Sequence, residues 1–85
     1  LSPAPAIRNV TKMNLDGTSA SVINSSSTLN TNSWLATDSG NLYFSDNANI
    51  LRYSISGGTT ETVVAGTGNG VRGITVAGGN IYWAN

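Results

Sequence analysis

The sequence predicts an all-β chain of eight short strands. Apolar and polar residues alternate in short runs, and Gly, Asn, Asp and Ser separate these runs, which is the pattern of small antiparallel strands. No helical period competes with this alternation. Both prolines, Pro3 and Pro5, lie at the beginning of the chain, so no later residue forbids continuous strand pairing.

In chain order, we predict strands near residues 9–14, 20–24, 34–37, 41–46, 50–55, 60–65, 72–77 and 80–84. The connections LDGT, DSGN, SGGT and AGGN have the composition of tight hairpin turns, because their glycines adopt positive φ at little steric cost. The eight strands therefore divide into two units of four strands each.

The two units are similar in sequence. The segment VTKMNLDG (10–17) matches ILRYSISG (50–57) at an offset of 40, which places Met13 over Tyr53. The segment WLATDSGNLYFSDN (34–47) matches GITVAGGNIYWAN (73–85) at an offset of 39, which places Tyr43 over Tyr82. A unit of about 40 residues with four strands is typical of a β-propeller blade.

Two short motifs resemble the repeats of a known family. KMNLDGT (12–18) and NLYFSD (41–46) resemble the repeats of YWTD-type six-bladed β-propellers and, more loosely, NHL repeats. The resemblance covers nearly all of residues 7–85. The chain has Phe44, Ser45 and Asp46 where the family motif has Trp, Thr and Asp, and Trp83, Ala84 and Asn85 in the second copy. These departures limit the transfer of family-specific function more than that of fold.

The resemblance implies a frame for the whole chain. Residues 1–6 would be an N-terminal tail or linker, and residues 7–85 a two-blade segment with a half blade at 7–24, a full blade at 34–65 and a half blade at 72–85. Exposed sheet edges template pairing with other chains, so we expect something to complete the half blades. A second copy joined head to tail is the simplest solution.

Two blades per chain and six per ring predict a homotrimer in which blades are shared between chains. A ring of four or five chains remains open. The main alternative is that the chain is a fragment, or a designed or evolutionary model, of a longer propeller and that its property is self-assembly.

Composition narrows the expected partners. Four Lys plus Arg balance four Asp plus Glu, so no basic field would collect phosphates and we expect no nucleic-acid partner. No apolar run approaches the roughly 20 residues that a membrane span needs. Charged residues make up 9%, and Ser, Thr, Asn and Gly are abundant, which favours a secreted protein at an extracellular or cell-envelope location.

Three connections would lie on one face of such a propeller: residues 24–33, 46–49 and 66–72. Polar loops on a rigid scaffold are where recognition concentrates. Asparagine amides there can bind sugar hydroxyls or peptide backbone, Trp34 can stack on a sugar, and Arg72 can hold an anion at the channel mouth. The alternative is that these residues serve turn geometry. The ligand-binding candidates are Asn30, Asn32, Trp34, Asp46, Asn47, Asn49, Asn69 and Arg72.

The acidic residues do not indicate an active site. Asp16 and Asp38 lie in predicted turns, Glu61 lies in a predicted outermost strand, and the chain has no His or Cys. One Asp46 without a second converging carboxylate is a poor metal or acid/base site. We therefore expect a non-enzymatic binding or scaffold module without catalytic residues, metal or cofactor, and a glycan or protein as ligand. A propeller lyase or lactonase is the less favoured alternative.

Overall fold

The structure, a computed structural model, describes residues 8–26, 34–38, 40–67 and 70–84, and in these residues it is all-β. This confirms the predicted all-β class. Each strand begins and ends within two residues of its predicted bounds. The strands are β1 (Arg8–Lys12), β2 (Ser21–Ser26), β3 (Leu35–Thr37), β4 (Asn41–Asp46), β5 (Asn49–Ser54), β6 (Thr60–Val64), β7 (Arg72–Ala77) and β8 (Asn80–Ala84).

The strands form three antiparallel sheets in the described part of the chain. β1 pairs with β2, β3 to β6 pair in chain order, and β7 pairs with β8. Two-residue turns join β4 to β5 and β7 to β8. The β7–β8 turn consists of Gly78 and Gly79 with φ of 58° and 81°, the positive values that a two-residue hairpin of matching twist requires. Asn47, with φ of 55°, takes a similar conformation in the β4–β5 turn.

The two-stranded sheets reproduce the register of parts of the four-stranded sheet. β1 and β2 pair Val10 with Asn24, and β5 and β6 pair Ile50 with Val64, at positions 40 residues later. In both hairpins the register shifts at the next residue, so each has a β-bulge at the equivalent position. β3–β4 and β7–β8 likewise have the same register at an offset of 39. The aligned segments thus form equivalent hairpins.

The core lies on both faces of the four-stranded sheet. Successive residues of a strand face opposite sides, so Tyr43 and Phe44 of β4 point in opposite directions. Tyr43 packs with Ile74 of β7, and Phe44 packs with Val10 of β1. The β1–β2 hairpin therefore covers one face of the four-stranded sheet, and the β7–β8 hairpin covers the other.

This stacking makes β4 and β5 the most buried strands of the described residues. Phe44 and Ile50 have no exposed surface, and burying a large apolar side chain completely contributes about 1.5 to 3 kcal/mol to folding. The predicted tail (1–6) lies outside the described residues. The half-blade and full-blade boundaries remain a prediction.

Candidate functional site

The loop end of the four-stranded sheet is held together by backbone hydrogen bonds. The β4–β5 turn accepts N–H groups from the β6–β7 connection: Val71 donates to the Asn47 carbonyl at 2.8 Å, and Thr67 donates to the Ala48 carbonyl at 2.9 Å. The Asn49 Oδ1 atom accepts the Gly66 N–H at 3.0 Å. The side-chain oxygen of Asn49 therefore accepts a hydrogen bond within the loops.

The backbone of Trp34 is held by two hydrogen bonds to Ser45 at the same end of the sheet. Its backbone N–H donates to the Ser45 Oγ at 2.9 Å, and its carbonyl accepts the Ser45 N–H at 3.1 Å. Ser45 is buried, whereas Trp34 is 49% exposed. Sequence reasoning treated Ser45 only as a departure from a motif, and nothing in the alternation of polar and apolar residues marks its hydroxyl as a partner of Trp34.

The other ligand-binding candidates are only partly brought together. Arg72 is exposed at the beginning of β7, and β7 contacts β3, the strand that follows Trp34. Asp46 is buried at the end of β4, and Asn47 is exposed in the following turn. Asn30, Asn32 and Asn69 lie outside the described residues.

The remaining acidic residues make local contacts. The Asp38 carboxylate accepts the backbone N–H groups of Gly40 and Asn41, and the bond from Gly40 is the main cause that lowers its pKa. The hydroxyl and then the backbone N–H of Thr18 lower the pKa of Asp16. These bonds stabilise the turns that contain the two aspartates.

Glu61 has a cross-strand partner. It forms an ion pair with Arg52 of β5, and the hydrogen bond to Glu61 raises the pKa of Arg52. Within residues 8–26, 34–38, 40–67 and 70–84, no three Asp, Glu, His or Cys side chains form a group that could hold a metal ion, and no pocket is found.

A second candidate site is the pair of strands at the sheet edges, β1 and β8. Their counterparts in the repeat, β5 and β4, pair with each other inside the four-stranded sheet. In the described part of the chain, β1 pairs only with β2 and β8 only with β7. The edges that would correspond to the β4–β5 pairing are therefore open.

Side chains beside these open edges are exposed where their counterparts are buried. Phe44 is 0% exposed and its counterpart Trp83 is 41% exposed. Tyr53 is 6% exposed, and Met13, which lies directly after β1, is 57% exposed. Tyr43 and Tyr82 differ in the same way, at 7% and 55%. The two-stranded sheets thus expose apolar side chains at positions that are buried in the four-stranded sheet.

Backbone donors also face the open edges. The Ser45 N–H points to β3, where it bonds to Trp34, and N–H groups alternate in direction along a strand, so the Phe44 N–H points to β5. By the shared register, the N–H of Trp83 points away from β7. An unpaired row of this kind is a template for another strand.

No protein-family model, no curated protein and no solved structure matches this chain. Among the residues described, there is no helix with the length and apolar character needed to cross a bilayer.

Proposed function

We propose that this chain is a non-enzymatic assembly module of the β-propeller type, in which β8 of one copy pairs with β1 of another. The four-stranded sheet would be one complete blade, and each two-stranded sheet half of a shared blade. Three copies would then close a six-bladed homotrimer. The shared register supports this proposal, since β8 and β1 are the counterparts of two strands that already pair within the chain.

The energetics favour such pairing. Each complete burial of a large apolar side chain contributes about 1.5 to 3 kcal/mol, and each backbone hydrogen bond adds about 0.5 to 1.5 kcal/mol. Met13, Tyr82 and Trp83 are all more than one third exposed before association. Several such gains at each junction offset an association cost of about 4 to 15 kcal/mol.

Stability that depends on protein concentration would test the proposal. If folding and assembly are coupled, the apparent melting temperature rises with chain concentration, because mass action favours the oligomer. We expect a rise of several degrees over a 100-fold range of concentration in thermal unfolding followed by circular dichroism. A melting temperature that stays constant over that range would contradict assembly.

A second candidate function is binding of a glycan or protein at the loop end. Trp34 supports it, because its backbone is held by Ser45 while almost half of its surface is exposed. A ring would carry one such residue per chain, and weak sites repeated on one assembly act through avidity. A low charged fraction, 9%, is in keeping with an extracellular or cell-envelope location.

The loop-end site can be tested on a glycan array. The substitution Trp34→Ala is expected to reduce any binding by about tenfold, which corresponds to about 1.4 kcal/mol. Leu15→Ala is the matched control, because Leu15 is fully exposed in the turn after β1. Equal binding by the two variants, or silence of the unmodified chain across the array at high concentration, would rule out this glycan site.

A further inference from the structure

We infer that the junction between two copies has one register, with Tyr82 opposite Lys12, Trp83 opposite Thr11 and Ala84 opposite Val10 of the second copy. This inference rests on the proposed function, and it specifies the surface and the partner. The partner is another molecule of the same chain.

The register follows from the four-stranded sheet. β4 and β5 pair Tyr43 with Arg52 and Phe44 with Leu51. The β3–β4 register recurs 39 residues later in β7–β8, and the β5–β6 register recurs 40 residues earlier in β1–β2. Moving each member of the Tyr43–Arg52 pair to its counterpart places Tyr82 beside Lys12.

One face of the resulting sheet would be apolar, like the corresponding face of the four-stranded sheet. Phe44 and Tyr53 lie in one buried cluster. Their counterparts, Trp83 and Met13 of the second copy, would come together in the same manner. This contact would cover two of the large apolar side chains that are exposed in the single chain.

The other face would contact the four-stranded sheet of the second copy. Tyr43 packs with Ile74, whose counterpart is Leu35, so Tyr82 would lie over Leu35 of the second copy. Lys12 already points to that sheet: its Nζ donates to the Tyr53 hydroxyl at 3.1 Å and lies 5.7 Å from the ring centroid. Lys12 and Tyr82 would therefore share one face, as directly opposed residues must.

A shift by one residue would reverse this arrangement. Side chains alternate with a period of two, so such a slip moves every apolar residue of β8 to the other face. Trp83 would then be separated from Met13. The junction is thus specified by side-chain burial on both faces and not only by backbone pairing.

Cysteine pairs can measure this register, because the chain contains no native cysteine. Tyr43 and Arg52 form a pair without mutual hydrogen bonds, since the N–H of neighbouring Phe44 points to β5. Opposed Cα atoms in such pairs are about 4.5 Å apart, which is within the range of about 4.4 to 6.8 Å that a disulfide needs. Lys12→Cys combined with Tyr82→Cys should therefore form disulfides between chains.

The matched control combines Lys12→Cys with Trp83→Cys, one residue out of register and on the opposite face. Lys12, Tyr82 and Trp83 are exposed in the single chain, so none of these changes empties the core. Within one chain the two sites are on hairpins that cover opposite faces of the four-stranded sheet, which excludes an internal disulfide.

After mild oxidation, we expect the Lys12/Tyr82 variant to give dimers and trimers on a non-reducing gel, at least tenfold more than the control, and to lose them on reduction. Mixing the two single-cysteine variants should give the same cross-linked dimer. Equal cross-linking of the two double variants, or more in the control, would overturn the register. A native mass of one chain for the unmodified protein would instead overturn the proposed function.

Discussion

Replacing Phe44 with alanine is expected to lower the free energy of unfolding of the chain by a large fraction. Phe44 is completely buried at the contact between the four-stranded sheet and the β1–β2 hairpin, where it packs with Tyr53. Truncating a buried phenylalanine costs about 3 to 5 kcal/mol, and a chain of this length has a total free energy of unfolding of roughly 4 to 13 kcal/mol. The midpoint of urea unfolding, followed by circular dichroism at fixed chain concentration, should fall steeply.

Leu15→Ala provides the control for this measurement. Leu15 is fully exposed, and substitutions at such positions change stability by about 0.5 kcal/mol or less. A loss below about 1 kcal/mol for Phe44→Ala would contradict the packing of the β1–β2 hairpin on this face. The large difference between the two variants is the result that the fold requires.

The second large effect is expected from proline at position 83. Trp83→Pro removes an N–H that points to the open edge of β8, and the proline ring blocks an approaching strand. The pairing of β8 with β7 keeps its own donors, because the N–H of Trp83 does not take part in it. We expect the variant to stay folded and to associate at least tenfold more weakly than Trp83→Ala in analytical ultracentrifugation.

Trp83→Ala is the matched control, since it removes the same side chain and keeps the donor. The difference between the two variants therefore reports on edge pairing alone. Equal association of Trp83→Pro and Trp83→Ala would show that β8 does not receive a strand at this edge. Both variants are compared at the same chain concentration, and circular dichroism checks that each is folded there.

Much of the fold could be predicted from the sequence because short apolar runs are separated by Gly, Asn, Asp and Ser at regular intervals. The run Leu42–Phe44 in β4 supplies apolar residues to both faces, and the structure places Tyr43 on one side of the sheet and Leu42 and Phe44 on the other. The end of β1 was less well predicted, at residue 14 instead of Lys12. β1 stops at Lys12 because the N–H of Asn14 already bonds to Thr18 in the turn.

The candidate loop site was less predictable. Composition indicated that asparagines concentrate there, but it could not show whether their oxygens face a ligand or the backbone. Asn49 bonds to Gly66, and Asn47 provides the carbonyl that holds Val71. The role of Ser45 depends on a contact between strands that are separated by a turn, and such contacts leave no periodic signal in the sequence.

The asymmetry of burial also needed the structure. The aligned residues Phe44 and Trp83 are similar in chemistry, and their alternation predicts the same burial for both. Trp83 is opposite Ile74, which packs in the core, so its face of the hairpin is already turned to the four-stranded sheet. The two residues differ in exposure because Phe44 has β5 beside it, whereas among the described residues β8 pairs only with β7. This difference is the physical basis of the proposed junction.

The mass of the native protein in solution tests this junction most directly. Native mass spectrometry of the unmodified chain at micromolar concentration should give a dominant species close to three times 8.7 kDa. A folded protein that stays at 8.7 kDa under the same conditions would contradict the pairing of β8 with β1 of a second copy.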